Sequence, residues 1–223
     1  MPLVDYLASC RSQSCPHPKP PFVESDEDGV NFERVVFFSD AVFAIAITLL
    51  ALEIRLPEVE LDMLPQAILA LLPEIAVYAL SFLIVGLYWV GHHRMFQYIA
   101  RYDYPLIWLN LLFLLCIAFL PVASSILGHY HHPFAVLFYC SVLCITSLMS
   151  VLLWWYASYN HRLIEADVEP HVIRYVFYRS VATIVVALLA AGTAFINTTV
   201  ALVILGLGIV AQLVRTLVSA GIR

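Results

Sequence analysis

The chain has 223 residues, 62% of them hydrophobic and only 12% charged, with a mean hydropathy of +0.90. A water-soluble domain carries about twice that share of charge, so the composition excludes one and indicates an integral membrane protein. The net charge of −5 is small and the basic residues are scattered, which leaves no footprint for nucleic acid.

Residues 1–30 hold four closely spaced prolines and the acidic run ESDED. Such a stretch buries too little apolar surface to fold alone, so a flexible tail is expected there, followed by one transmembrane domain over 31–220. The tail has no apolar core of the kind a signal peptide needs. Of the five cysteines, Cys116, Cys140 and Cys144 lie in apolar runs, and no spacing suggests a metal site or a disulfide framework.

A membrane span needs about 20 apolar residues. The first runs over about 33–55 and carries Ser39 and Asp40 inside it. A carboxylate in hydrocarbon costs about 2.5–3.5 kcal/mol on insertion scales, which marks Asp40 as a residue with a purpose. An acidic link follows, then a proline-bounded segment (64–73) too short to span. The second span covers about 74–95 and ends in Trp89, His92 and His93. The third, about 104–127, contains Asn110 and, near its far end, Pro121. GHYHHP makes a turn, and the fourth span, about 134–157, ends in Trp154, Trp155, Tyr156 and Tyr159, rings that favour the membrane–water interface. The fifth and sixth spans cover about 173–196 and 198–218.

Ten of the eleven Lys and Arg residues fall on one side of this arrangement, with Arg55 as the exception. The bias predicts cytoplasmic termini and an even number of spans, which six satisfies. The fold expected is therefore an all-α integral membrane protein with six transmembrane helices.

Helix geometry separates two faces on the first span. At about 100° per residue, Arg34, Phe38, Ile45, Thr48, Leu49, Leu52 and Leu56 fall within about 60° of one line. Ser39 and Asp40 lie more than about 100° from it, on either side. The apolar stripe reads as lipid-facing, core or pore-lining on this pattern alone. The polar pair needs donors, and Trp89, His92, His93 and Asn110 supply them at a similar depth. They form a structural polar cluster, a proton relay or an ion ligand set. A membrane-embedded metalloenzyme would need HxxxH or HExxH spacing, which neither the His92–His93 pair nor the His129, His131, His132 cluster has.

Arg34-x-x-x-Phe38-Ser39-Asp40 resembles the RxxxFSD signature of the transmembrane-protein-175 family, the lysosomal-type potassium channels and their prokaryotic relatives. The continuation AVFAIAITLLALEI, the LYWVGHHRMF of the second span and the WLNLLFLL of the third are similar to that family too. The resemblance implies a potassium channel with modest selectivity, conducting through a constriction made by Ile45, Leu49 and Leu52 of each first helix, with Thr48 as a polar ring. It implies that Arg34, Ser39 and Asp40 pack and hydrogen-bond with Trp89, His92 or His93, and Asn110. A chain with one six-span repeat implies a homotetramer with the first helices around a central pore. The expected partners are permeating potassium ions, the lipid bilayer and further copies of the chain, with no cofactor, no catalysis and no resident metal. The expected place is a prokaryotic plasma membrane. The alternative is a proton-coupled secondary transporter using Asp40 and the inner histidines, which should show broken helices and internal repeats.

Overall fold

The computed structural model describes residues 32–54, 58–130, 132–165 and 167–221. The tail expected over residues 1–30 lies outside them, as do Arg55, Leu56 and His131. Among the described residues seven α-helices follow one another: α1 (Phe32–Leu52), α2 (Leu64–Ala70), α3 (Leu72–Phe96), α4 (Tyr104–His129), α5 (Pro133–Ser158), α6 (Pro170–Ala194) and α7 (Thr198–Gly221). All but the short α2 are long and apolar enough to cross a membrane, giving the six expected spans.

Prolines set where these helices begin. α2 to α6 each carry one at the first or second position. There the missing N–H costs nothing, and the ring holds φ near its helical value. Side chains also cap α4, α5 and α7: Asp103 accepts from the Leu106 N–H at 3.0 Å, His132 from Phe134 at 3.3 Å, and Asn197 from Val200 at 3.1 Å. The segment expected to be a short interfacial helix over 64–73 ends earlier, at Ala70. It passes through Leu71 almost directly into α3, because Pro73 sits where a new helix tolerates it best. α1 also ends earlier than expected, at Leu52. Pro121 lies inside α4 without ending it.

α1 packs against α3 and α4, α4 against α5, α5 against α6, and α6 against α7. The main core lies where these helices meet, around Phe43, Leu50, Ile84, Phe113, Ile117, Tyr139 and Leu205. A second cluster closes the end of the bundle where α1 begins, around Met95, Phe96, Leu106, Trp154 and Leu163. There the α5–α6 link is laid against the α3–α4 link. Ala100 N–H donates to the Leu163 carbonyl at 2.9 Å, and Glu165 N–H to that of Tyr98 at 3.1 Å. This corrects one expectation. Trp154 is 1% exposed and donates its indole N–H to the Ile173 carbonyl, so it belongs to the core; Trp155 and Tyr159 are the outward rings.

Candidate pore helix and its polar anchors

α1 has a buried face and a bare one. Ser39, Phe43, Ala46 and Leu50 recur at spacings of four and three and are all buried. That period places them on one side of the helix. Phe43 is the centre of this face, 1% exposed, with its ring 5.6 Å from that of His92 and 6.0 Å from that of Phe113. The bare face is the stripe anticipated from the sequence. Phe38, Ile45, Leu49 and Leu52 are exposed, Ile45 at 58% and Leu52 at 71%. Thr48 lies on the same side, but its hydroxyl donates to the Ile45 carbonyl at 2.8 Å. This is the local bonding that threonines in membrane helices commonly make.

Two separate anchors hold the back of α1. The first is a buried chain through Ser39, Asn110 and His92. Ser39 Oγ donates to the Val35 carbonyl at 2.8 Å. Its single proton is thereby used, so it accepts from Asn110 Nδ2 at 2.9 Å. That orients the amide with Oδ1 toward His92 Nε2, 2.8 Å away. An amide oxygen only accepts, so the proton of that bond sits on His92 Nε2. His92 is further held between rings, 4.2 Å from Phe96 and 5.6 Å from Phe113. Such a group, nearly all of it out of contact with water, is constrained in position, tautomer and partner at once.

The second anchor is nearer the surface. Trp89 donates its indole N–H to Asp40 Oδ1 at 2.9 Å. His93 takes no part in bonding the signature residues: it stacks on Trp89 at 5.6 Å and pairs with Gln97 at 3.1 Å. Among the described residues no hydrogen bond joins Asp40 to either histidine, and the helices carrying all three are unbroken. Arg34 stands outside both anchors. It is exposed and lines, with Phe38, Ile107 and Asn110, a cavity of about 220 Å³ beside the start of α1.

Sequence reasoning missed a second set of polar contacts, away from α1. Tyr88 bonds Ser147 at 2.6 Å and the Leu143 carbonyl at 3.1 Å, and Ser81 bonds both Tyr139 and Ser124. Arg179, deep in α6, donates Nη1 to the Leu87 carbonyl at 2.9 Å. The signal was present as isolated hydroxyls and one arginine in apolar runs, but their partners lie on other helices. At the far end, His129 bonds the Ser125 carbonyl and His132 caps α5. Among the described residues no group of three His, Cys, Asp or Glu is placed to hold a metal ion.

Residues 34–121, from α1 to within α4, match the family model described as the endosomal/lysosomal potassium channel TMEM175. A potassium channel of Streptomyces collinus is 39% identical over 149 residues, 63% of this chain and 71% of that protein. The human endosomal/lysosomal proton channel TMEM175 is 30% identical over 158 residues, 69% of this chain but 31% of that protein. Among solved structures, a lysosomal potassium-selective channel TMEM175 homologue from Chamaesiphon minutus superposes with a TM-score of 0.73. It is 27% identical, and the match covers 82% of this chain and 97% of that one.

Proposed function

The chain belongs to the TMEM175 family as a prokaryotic-type, multi-pass membrane member, and from that premise we propose that it is a potassium-conducting channel with α1 lining the pore. The observation that carries this reading is the two-faced α1. Its back is packed and hydrogen-bonded into the bundle, while Ile45, Leu49 and Leu52 are left exposed by the other described residues. Four copies of that face around an axis make an apolar constriction. The subunit is then a homotetramer, its two termini cytoplasmic, in a prokaryotic plasma membrane, with residues 31–220 as the channel domain.

Potassium is favoured over protons as the ion. The Streptomyces relative named as a potassium channel is matched over more than two thirds of its length, the human proton channel over less than one third. The sequence contains no TVGYG filter, so ions pass side chains rather than a cage of carbonyls. An apolar ring selects through the cost of partial dehydration, which is lower for potassium than for sodium, and the selectivity is accordingly modest. Ser39, Asp40, Trp89, His92 and Asn110 hold the pore helix at its correct rotation and carry no ions themselves; His93 supports Trp89, and Arg34 and Phe38 stand at the start of the bare face. Ion conduction breaks no covalent bond, and the chain is assigned no catalysis.

Recording from purified protein in planar bilayers tests the proposal. Single-channel currents in potassium, with a reversal potential that moves with the potassium gradient and little with pH, are expected. Saturating, proton-coupled flux without unitary currents would instead favour a transporter, and no current in any cation sinks the reading.

A further inference from the structure

A cationic notch lies on the other side of α3 from the pore helix. Arg179 of α6 reaches α3 beside Gly91, where a methyl group would overlap the guanidinium. It makes one hydrogen bond, to the Leu87 carbonyl. Among the described residues no carboxylate forms an ion pair with it. The ion pairs Arg162–Asp103 and His171–Glu169 lie elsewhere. A guanidinium has five N–H donors and keeps its charge at any working pH. An arginine within a membrane span is costly unless that charge is met.

Arg179 lines a cavity between α3, α6 and α7, together with Tyr88, Ser180, Thr183 and Gln212. Among the described residues no buried side-chain nitrogen or oxygen is left without a partner, so the guanidinium nitrogens lacking one are not buried. The polar wall opposite is already paired, Thr183 with Gln212 at 3.2 Å. The cavity has about 20 Å³ of room, roughly the space of one oxygen atom.

We propose that this notch binds an anionic oxygen of a phosphate group, with Arg179 as the charge that holds it. One phosphate oxygen enters to meet the guanidinium, and the rest of the group stays outside. A lipid phosphodiester headgroup is the source best matched to a site within a membrane span. Inorganic phosphate shares the chemistry. The α3 segment that carries Leu87 and Gly91 also carries Trp89 and His92, so occupancy of the notch acts on the helix that anchors α1.

Native mass spectrometry of the full chain in detergent tests this, with phosphatidylglycerol and the phosphate-free lipid diacylglycerol offered together. The wild type is expected to retain phosphatidylglycerol about tenfold better, the worth of one charge-assisted hydrogen bond. Arg179→Gln is expected to lose the preference and Arg179→Lys to keep part of it. Gln212→Glu changes shape little and places a rival carboxylate in the notch; it abolishes the preference even if Arg179→Gln fails to fold. Displacement of the lipid by millimolar phosphate assigns the notch to free oxyanions as well, and its absence assigns it to lipid alone. A wild type that holds both lipids equally overturns the proposal and leaves a bound water as the occupant. A preference that persists in Arg179→Gln or Gln212→Glu overturns it too.

Discussion

Trp89 donates its indole N–H to Asp40 over 2.9 Å, and three residues further along α3 His92 reaches Ser39 through Asn110. Ser39 and Asp40 are neighbours in sequence and so point about 100° apart around α1. The two bonds therefore grip the helix at two angles on its back. A single bond leaves a cylinder free to roll, whereas two at different angles hold it against rotation in both senses. The face with Ile45 and Leu52 is aimed by what happens on the opposite side.

The Trp89–Asp40 bond can be tested at each end. Trp89→Phe keeps a ring and removes the donor; Asp40→Asn keeps an acceptor oxygen and removes the charge. Both are expected to lower stability by about 1 kcal/mol, toward the small end for a bond to a charged group because the pair is partly exposed. Asp40→Ala is expected to be worse than Asp40→Asn, in thermal unfolding and in the yield of assembled protein. Equal losses from the two would show that the bond itself matters little.

Asn110 is the least replaceable of the buried trio. Asn110→Leu leaves Ser39 and His92 each short of a partner, at about 1–3 kcal/mol apiece. Asn110→Asp is the sharper test. A carboxylate has no N–H to give Ser39, so the chain breaks at that link although the shape is retained. Both variants are expected to unfold at lower temperature than Ser39→Ala, which removes one end of the chain only. An Asn110→Asp protein as stable as the wild type would contradict the donor assignments.

Ile45→Asn and Leu52→Asn are expected to wet the constriction and raise sodium permeability. Reversal potentials under bi-ionic potassium and sodium would move toward zero in both. Phe43→Leu, on the buried face, is expected to cost roughly 1 kcal/mol of stability, as volume-changing swaps in a packed core do, with the reversal potential unmoved. If Ile45 and Leu52 variants keep the wild-type reversal potential, the stripe does not select.

Gly91→Ala is expected to destabilise by about 1–3 kcal/mol, the usual cost of forcing extra volume into packed space. The cause is the Arg179 guanidinium, so the loss should shrink when Arg179 is shortened. A double-mutant cycle of Gly91→Ala with Arg179→Ser measures this coupling. Additive effects would mean that Gly91 is small for another reason.

Much of the fold was legible because membrane solvation is a strict constraint. Backbone groups in hydrocarbon must bond internally, which makes each long apolar run a helix, and prolines mark where the runs begin. Periodicity likewise separated the two faces of α1, since a helix carries its own angular ruler. The partners were not legible to the same degree. His92 and His93 are adjacent, equally able to donate, and about 100° apart on α3. Only the position of α4, which puts Asn110 2.8 Å from His92, decides between them. Trp154 and Trp155 pose the same problem, and α6 decides it by offering the Ile173 carbonyl to the first.

The sequence by itself determined the six spans, the apolar stripe of Phe38, Ile45, Leu49 and Leu52, and the need of Ser39 and Asp40 for donors. These are properties of one helix in one solvent. The tertiary structure alone decided that Asp40 is bound by Trp89, that Ser39 is bound through Asn110 to His92, and that Arg179 lies against Gly91. Each of these joins residues at least 18 positions apart. A hydrogen bond depends on distances of a few tenths of an ångström, and those are set by how helices pack against one another, which no single helix encodes.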